Sequence, residues 1–373
     1  MKKKMLVIGI IMDAAGTERS FLSFAQKIDY DAYDVELLLA SREGAFLHLV
    51  PDNIKISDMG NLGEVFKINK NNSFSLISKL FLRKNPFFAL QLLPDMLKMK
   101  KGGTERVYAA NRIWLKLMEK MPIYNGEYDV AIAYWGDHTM FYMIDKVKAK
   151  KKITWLHFDY DEPAREDAVY LPYFEKCDKI ITVSESIERS LSEKFPELKD
   201  KIETVENFID EKEILEKSKE YCDFREGYDG KVILSVGRLC DQKGFDMAIP
   251  AMSKLYREGE RVKYYIIGEG SEEYKQKLLD IVKENNAEEI ICFLPRTENP
   301  YKFMARCDIY LQPSRHEGKP IVVEEAKVLG LPICVTKYKS ANEQLSGIEK
   351  SVICEISEDG IYTGVKEILK NKI

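Results

Sequence analysis

The sequence of 373 residues is long enough for two domains, and its 45% hydrophobic and 32% charged residues are typical of a folded globular protein. A formal net charge of −4 provides no overall positive field, so nucleic acid is not expected as a partner. Seven scattered cysteines without a Cys-x-x-Cys pair, and only four histidines, argue against a zinc site and for reduced thiols in a cytoplasmic protein. No metal site is predicted, and no apolar run approaches the roughly 20 residues of a membrane span.

Short apolar runs alternate with longer amphipathic segments along the whole chain. This alternation is typical of parallel strands joined by helices, so the predicted fold class is α/β. Residues 1–206 are expected to form the first Rossmann-like domain. Its predicted strands are residues 5–11, 35–39, 129–133, 153–157, 179–183 and 202–205.

A basic segment interrupts this first half. Residues 74–122 are predicted to form a helical insertion, and residues 79–120 contain ten Lys or Arg against three acids, a net charge of +7. Apolar side chains are interleaved with these charges. Two interpretations stay open: a helical insertion with one solvated basic face, or an amphipathic surface that rests on anionic lipid.

A second series of strands follows a polar, charge-rich stretch at residues 207–230. We place the domain boundary at the start of this stretch, so that residues 207–373 form the second Rossmann-like domain. Its predicted strands are residues 232–236, 264–267, 290–294, 309–312, 332–335 and 352–354.

The residues after the 309–312 strand favour an anion-binding site at the start of a helix. Gly318 permits a close approach of the backbone, and Pro320 suits a first helical turn. The amides of Lys319 and Ile321, together with the positive end of the helix dipole, are expected to face a phosphate at the carboxyl edge of the sheet.

Two glutamates flank this predicted anion site. Glu317 precedes the helix, and Glu325 lies inside it. A carboxylate close to bound phosphate is costly unless it accepts hydrogen bonds from another group, such as a sugar or ribose hydroxyl. The alternative is that Glu324 and Glu325 form an exposed acidic pair on the helix surface.

A second loop carries two cations. Arg238 and Lys243 lie between Gly237 and Gly244, directly after the 232–236 strand. The guanidinium fork of arginine and the point charge of lysine together suit a diphosphate. The alternative for such a loop, taken alone, is an ordinary surface loop.

In this order the segments resemble the second domain of glycosyltransferase family 4, which comprises retaining enzymes of the GT-B fold. The resemblance covers residues 206–325 and includes the linker at 206–210, the Gly-Arg-Leu segment at 237–239, the Lys-Gly pair at 243–244, the Gly-Glu-Gly turn at 268–270, the Asn-Pro-Tyr segment at 299–301, and two glutamates with seven residues between them. It implies a GT-B fold, in which two Rossmann-like domains have parallel sheets that face a central cleft.

The resemblance also implies roles for residues of the second domain. Arg238 and Lys243 are expected to bind the donor diphosphate. Glu317 is expected to lie at the donor sugar and Glu325 to accept the ribose hydroxyls. The remaining expected contacts are the backbone around sugar and phosphate (Gly318, Lys319, Ile321) and the segment that frames the nucleotide base (Arg296, Thr297).

In the first domain the resemblance is looser. Gly16 and Thr17 resemble part of the family's glycine-rich loop, with Ala15 where a second glycine often stands. His157 resembles a family histidine near the reacting sugar, although a lone histidine is more often structural. The chain also stops after a single helical segment beyond its last strand, where such enzymes commonly continue with crossover helices, so a truncated and a naturally short chain are both open.

The function implied is that of a metal-independent, retaining glycosyltransferase. It would move a hexose-type sugar from a nucleotide-diphosphate donor, of UDP or GDP type, to a glycan or polyprenyl-linked acceptor in bacterial surface polysaccharide biosynthesis. No cofactor is expected. The enzyme would be cytoplasmic, with peripheral binding to the inner face of the plasma membrane if the basic segment rests on lipid.

Four alternatives stay open at this point. A nucleotide-sugar epimerase and a phosphorylase share the GT-B fold, and a non-catalytic sugar-nucleotide or glycan-binding protein would keep the binding residues. A dinucleotide-dependent dehydrogenase also opens with strand, loop and helix. However, Gly9 and Gly16 do not form its Gly-x-Gly-x-x-Gly loop.

Overall fold

A computed structural model describes residues 1–67, 75, 86–99 and 103–370. Contacts divide the chain into two compact units. The first unit consists of Met1–Asp13 and Phe24–Glu206, and the second unit consists of Ala14–Ser23 and Asn207–Ile373. The short segment Ala14–Ser23 therefore groups with the second unit, whereas the sequence places it in the first domain.

The first unit is built on a seven-stranded parallel sheet with the strand order β3-β2-β1-β4-β5-β6-β7. One of these strands, β3, is absent from the sequence prediction. It lies at the sheet edge, and its few apolar residues alternate with polar ones, so it lacks the continuous apolar run of a central strand. The strands are β1 Lys3–Gly9, β2 Tyr33–Leu39, β3 Ile54–Asp58, β4 Glu127–Ala133, β5 Lys148–Leu156, β6 Lys179–Thr182 and β7 Ile202–Thr204.

Helices and a large aromatic core accompany this sheet. Helix α6 begins after Ser184 because the Ser184 hydroxyl accepts a hydrogen bond from the Ile187 amide at 3.2 Å. Two helices of the basic segment, α2 and α3, pack on the core, where the Trp114 ring lies 5.2 Å from that of Phe66. Helix α1, Gly16–Ala25, lies mostly in the segment that groups with the second unit. The helices of the first unit are α2 Pro86–Met99, α3 Gly103–Glu119, α4 Asp137–Lys146, α5 Asp167–Glu175 and α6 Glu185–Lys194, with 3-10 segments at Leu47–Leu49, Gly60–Lys67 and Pro196–Lys201.

The second unit is built on a six-stranded parallel sheet with the order β10-β9-β8-β11-β12-β13. Two separate apolar clusters are associated with this sheet. Its strands are β8 Lys231–Val236, β9 Val262–Ile267, β10 Ile291–Leu294, β11 Ile309–Gln312, β12 Ile333–Thr336 and β13 Ser351–Cys354. Its helices are α7 Glu211–Lys217, α8 Phe245–Arg257, α9 Glu272–Glu284, α10 Tyr301–Met304, α11 Ile321–Val328, α12 Ala341–Gln344 and α13 Glu358–Lys370, with a 3-10 turn at Asp241–Lys243.

The strand order determines where a ligand can bind in the second unit. The chain runs outward from β8 in one direction through β9 and β10, and in the other through β11, β12 and β13. Loops after β8 and β11 therefore leave the carboxyl edge of the sheet on opposite sides of a crevice, the usual ligand site of such folds. These two loops carry the residues that are predicted to bind the diphosphate and the donor sugar.

The predicted α/β class is confirmed. Both units are Rossmann-like halves with parallel sheets, and all twelve predicted strands are present. Within the described ranges, no helix has the length and apolar composition needed to cross a membrane.

Candidate active site

The loops after β8 and β11 are bound to each other at the carboxyl edge of the second sheet. Gly244 has a φ of +66°, and a Cβ atom there would lie 2.0 Å from the Pro313 carbonyl oxygen, so only glycine fits. Gln242 donates from Nε2 to the His316 carbonyl at 3.0 Å, and its own carbonyl accepts from the Arg315 amide at 2.8 Å. The structure thus brings together two segments that are far apart in the sequence.

Arg315 fixes this pair of loops further. Its guanidinium makes two hydrogen bonds to the Asp246 carboxylate, at 2.8 and 2.9 Å, and a third to the Asp241 carbonyl at 2.6 Å. The sequence prediction did not assign Arg315 a role. Its position, three residues after a strand and beside the candidate anion site, gave no signal that its partner would be Asp246.

Lys243 and Glu317 are in direct contact. The Lys243 ammonium lies 2.6 Å from Glu317 Oε1, and both side chains are largely buried. The aliphatic stem of Lys243 passes over Gly237, where a Cβ atom would lie 3.3 Å from Lys243 Cε. A proposed phosphate ligand and a proposed sugar ligand therefore form one buried ion pair.

Arg238 is placed differently. It is exposed, and it forms no ion pair with any residue that the structure describes. Its loop is attached to the Gly-Glu-Gly turn: the Leu239 amide donates to the Glu269 carbonyl at 2.8 Å, and a Cβ on Gly268 would lie 1.9 Å from the Gly237 carbonyl oxygen. Arg238 consequently keeps its guanidinium available to an anion at the mouth of the loop.

Glu325 is buried inside the second unit, with 2% of its surface exposed. Tyr301 donates a hydrogen bond to Glu325 Oε1 at 2.7 Å, and Arg19 lies 3.6 Å from the same oxygen. Burial raises the pKa of Glu325, while the Arg19 charge and the Tyr301 hydrogen bond oppose that shift. The alternative of an exposed Glu324–Glu325 pair is therefore wrong.

Glu324, by contrast, supports the loop in front of α11. Its Oε2 accepts from Lys327 at 2.7 Å, and its Oε1 accepts from Gln344 Nε2 at 2.9 Å. The same Gln344 nitrogen donates to the Pro320 carbonyl at 2.9 Å, and Tyr338 donates to Gln344 Oε1 at 2.6 Å. These buried contacts hold the residues immediately before the helix.

The predicted anion-binding backbone lies in this supported loop. Gly318, Lys319 and Ile321 are all buried, and α11 begins at Ile321 with Pro320 as its N-cap residue. The Lys319 carbonyl accepts from Asn207 Nδ2 at 3.3 Å, and the Lys319 ammonium lies 3.6 Å from Glu343. Amides in the first turn of a helix have no intrahelical acceptor, so this segment can bind an anion.

The predicted base-framing residues follow β10. Arg296 lies 3.6 Å from Glu269 in the Gly-Glu-Gly turn, and the Thr297 hydroxyl accepts from the Asn299 amide at 3.2 Å. The Gly268 amide donates to the Leu294 carbonyl at 3.1 Å. The loop after β10 is therefore attached to the Gly-Glu-Gly turn, which also contacts the loop that carries Arg238.

Helix α1 supplies a residue that the sequence prediction missed. Gly16 is exposed, with no atom within 4 Å of the point where a Cβ would lie, and Thr17 is half-buried, so nothing in this segment requires glycine. Arg19 instead reaches Glu325, Glu213 and the Glu298 carbonyl, at 3.6, 3.9 and 3.0 Å. An arginine inside a Gly-Thr-Glu-Arg-Ser run gives no sequence signal for these partners.

His157 belongs to the first unit, directly after β5. Its ring stacks parallel to that of Trp155 at 6.1 Å and lies 4.7 Å from that of Tyr134. The loop after it is fixed by the buried Arg165, which makes two hydrogen bonds at 3.0 Å to the Asp137 carboxylate and donates to three carbonyls of the loop. His157 therefore lies in a rigid aromatic setting at the carboxyl edge of the first sheet.

No group of three or more His, Cys, Asp or Glu side chains suited to a metal ion occurs among the described residues. The sequence has Asp-x-Asp patterns at 29–31 and 159–161. Asp29 accepts from the amides of Asp31 and Ala32, and Asp161 accepts from Ser190 and Lys194. These aspartates make local structural contacts.

Residues 223–373 match the family model described as "Glycosyl transferases group 1". An uncharacterized glycosyltransferase of Haemophilus influenzae is 26% identical over 95% of this chain and 86% of its own length. A Campylobacter jejuni N-acetylgalactosamine-N,N'-diacetylbacillosaminyl-diphospho-undecaprenol 4-alpha-N-acetylgalactosaminyltransferase is 31% identical over 53% of this chain and 52% of its own length. Further matching proteins are named for O-antigen and amylovoran biosynthesis.

The fold resembles that of solved glycosyltransferases. The crystal structure of Anabaena HepE in complex with UDP-glucose superposes with a TM-score of 0.68 at 14% identity, over 99% of this chain and 90% of that chain. At this identity the likeness establishes the fold, which is GT-B. By sequence, residues 223–373 are thus similar to group 1 glycosyltransferases.

Proposed function

We propose that this chain, whose residues 223–373 match the group 1 glycosyltransferase model, is a retaining enzyme that transfers a hexose-type sugar from a nucleotide-diphosphate donor. The acceptor we propose is a hydroxyl of a glycan or polyprenyl-linked saccharide in bacterial surface polysaccharide biosynthesis. One observation carries the proposal: the start of α11 lies beside a buried Lys243–Glu317 ion pair at the switch point of the second sheet.

The proposed mechanism relies on charge stabilisation. As the bond between sugar and diphosphate breaks, negative charge accumulates on the departing diphosphate. Lys243 and the amides at the start of α11 are held by the fold, and Arg238 is exposed at the mouth of its loop. Donors placed in advance where charge develops lower the barrier without reorganisation of the site. This set of donors needs no metal ion, and we assign no enzyme nucleophile.

Glu325 suits a ribose. A buried carboxylate is costly to keep charged, and such groups concentrate at functional sites. Vicinal hydroxyls of a ribose can donate two hydrogen bonds to one carboxylate. We place the donor in the second unit, with Glu317 at its sugar and Arg296 and Thr297 near its base, and the acceptor in the first unit with His157.

Names of relatives support the substrate classes. The Campylobacter relative is named for a diphospho-undecaprenol acceptor and an alpha linkage, and HepE was solved with UDP-glucose. By analogy we propose a lipid-linked acceptor for this chain. The base of the donor, uridine or guanosine, stays open.

The proposal is tested by thermal unfolding of the purified protein with UDP, GDP and their sugars. A nucleoside diphosphate at 100 times its dissociation constant should stabilise the protein by about 2.7 kcal/mol. We expect one base series to raise the unfolding temperature, with adenine dinucleotides giving no shift. A rise in unfolding temperature with NAD or NADP, and none with any nucleoside diphosphate, would contradict the proposal.

A membrane surface is the second proposed partner. Helix α2 exposes an apolar stripe made of Phe87, Leu90 and Leu97, and the chain flanks this helix with lysines or arginines at 83–84 and 100–101. Within the predicted insertion, residues 74, 76–85 and 100–102 lie outside the described residues. Apolar side chains beside basic ones are the pattern of helices that lie on anionic lipid.

This surface gives a direct prediction. Replacing Phe87, Leu90 and Leu97 together by serine should strongly reduce sedimentation with anionic vesicles, because the apolar anchor is lost while the charge is kept. Ile123→Ser, which removes an exposed apolar side chain outside the helix, serves as the control. Equal binding of wild type to neutral and anionic vesicles, or unchanged binding of the triple variant, would refute the membrane proposal.

A further inference from the structure

Three hydrogen-bond donors converge on a single oxygen of Glu317. Lys243 Nζ, Ser314 Oγ and Gln312 Nε2 lie 2.6, 2.6 and 3.1 Å from Oε1. Oε2 receives no hydrogen bond from any part of the chain that the structure describes. Because a carboxylate offers about four lone-pair sites over its two oxygens, Oε1 is saturated by the protein while Oε2 keeps its acceptor capacity.

The two neutral donors are themselves fixed. Tyr310 donates to Gln312 Oε1 at 2.7 Å, which turns the amide nitrogen of Gln312 toward Ser314 and Glu317. Thr336 donates to the Ser314 carbonyl from the neighbouring strand β12. All four of these supporting residues are nearly or completely buried, and a satisfied buried polar network is rigid.

Such an arrangement is more than a carboxylate needs to be stable. The ion pair with Lys243 alone already compensates the charge of Glu317, and a buried pair is often replaceable by apolar side chains without loss of stability. Two further donors on the same oxygen instead determine the rotation of the carboxylate. The consequence is that one oxygen is presented in one orientation.

We propose that Gln312 and Ser314 are positioning residues that hold Glu317 so that its Oε2 accepts a hydrogen bond from one hydroxyl of the donor sugar. The inference rests on the proposed function, since it needs a nucleotide-diphosphate sugar in the second unit. It assigns Glu317 a single sugar hydroxyl as its ligand. Gln312 and Ser314 touch neither sugar nor phosphate and act through Glu317.

Removing either donor should loosen Glu317 without removing the phosphate ligands. We expect Ser314→Ala and Gln312→Met each to lower kcat by about tenfold, the equivalent of one lost hydrogen bond in the transition state. The dissociation constant for the nucleoside diphosphate should stay within about twofold, since Lys243 and the α11 amides are unchanged. A merely structural role would instead lower kcat, binding and unfolding temperature together.

Ser253→Ala is the matched control. Ser253 is a buried serine of the same unit whose hydroxyl donates to the Asn285 carbonyl at 2.8 Å, away from the candidate site. This variant should retain the wild-type kcat. A comparable loss of kcat in Ser253→Ala would show that any buried serine truncation impairs the enzyme and would overturn the inference.

Donor analogues that lack one sugar hydroxyl identify the ligand of Oε2. With wild type, one monodeoxy donor should lose about as much activity as Ser314→Ala loses with the intact donor. The two losses should not multiply, because both remove the same interaction. The inference is overturned if, for every monodeoxy donor, the activity loss from the missing hydroxyl and the loss from Ser314→Ala multiply in full. It is also overturned if kcat is unchanged in both Ser314→Ala and Gln312→Met. Failure of wild type to bind any nucleoside diphosphate would overturn the proposed function itself.

Discussion

Replacing Lys243 by alanine is expected to reduce sugar transfer by about 100-fold to 1,000-fold, the loss typical of removing one preorganised donor to developing charge. The substitution removes two contacts of Lys243 at once: the proposed contact to the diphosphate and the 2.6 Å contact to Glu317 Oε1. The measurement is kcat and donor KM of purified variants, with binding of the nucleoside diphosphate and of the bare nucleoside compared by calorimetry. Binding of the diphosphate should weaken much more than binding of the nucleoside.

The control for this variant is Lys254→Ala. Lys254 lies on α8 and pairs with Asp359 at 2.9 Å on the surface, so its removal should change stability little and leave turnover intact. If Lys243→Ala kept near-normal turnover, or weakened nucleoside and diphosphate binding equally, Lys243 would not be a phosphate ligand.

Replacing Glu325 by glutamine is expected to weaken donor binding by roughly 10-fold to 100-fold, which corresponds to the loss of about 1.5–3 kcal/mol in hydrogen bonds to a charged acceptor. Burial raises the pKa of Glu325, opposed by Arg19 and Tyr301, so protonation begins at a higher pH than for an ordinary glutamate. Donor affinity of wild type should therefore fall as the pH is lowered toward the acid range. In Glu325→Gln this part of the pH dependence should be absent.

The same shift predicts the opposite effect on stability. A carboxyl whose pKa is raised in the folded state stabilises the fold most below the pKa of the unfolded chain, and this contribution is lost as the pH rises through the folded pKa. At neutral pH the ionised Glu325 thus lowers the stability of the folded, ligand-free protein. Glu325→Gln should unfold at an equal or higher temperature at pH 7, with any gain vanishing in acid. A clear drop in unfolding temperature at pH 7 would instead make Glu325 a structural residue.

Strands were predictable because a buried parallel strand is a continuous apolar run, and that local property survives in any context. The edge strand β3 lacks this property and was missed. The contacts between the loops after β8 and β11 were predictable only in part. Parallel topology places loops after strands at one edge, but no spacing shows that Lys243 reaches Glu317 or that Gly244 faces the Pro313 carbonyl.

The supporting residues of the site lay beyond sequence reasoning. Arg19 and Gln344 come from segments far from Glu325 and Glu324 in the chain, and single polar residues of this kind carry no periodic signal. Glu324 and Glu325 illustrate the difficulty, since they are neighbours in sequence but have unrelated partners. Only packing of α11 on the sheet decides that Glu325 faces inward while Glu324 reaches Gln344 and Lys327.

The central claim, retaining transfer of a sugar from a nucleotide-diphosphate donor, is tested most directly by the anomeric configuration of the product. The purified protein would be incubated with the nucleotide sugar that stabilises it best and a polyprenyl-diphosphate-linked saccharide, and the product examined by NMR. We predict release of one nucleoside diphosphate per linkage formed and the same anomeric configuration in product and donor. An inverted linkage, or a donor that is epimerised or phosphorolysed without transfer to the acceptor, would contradict the account.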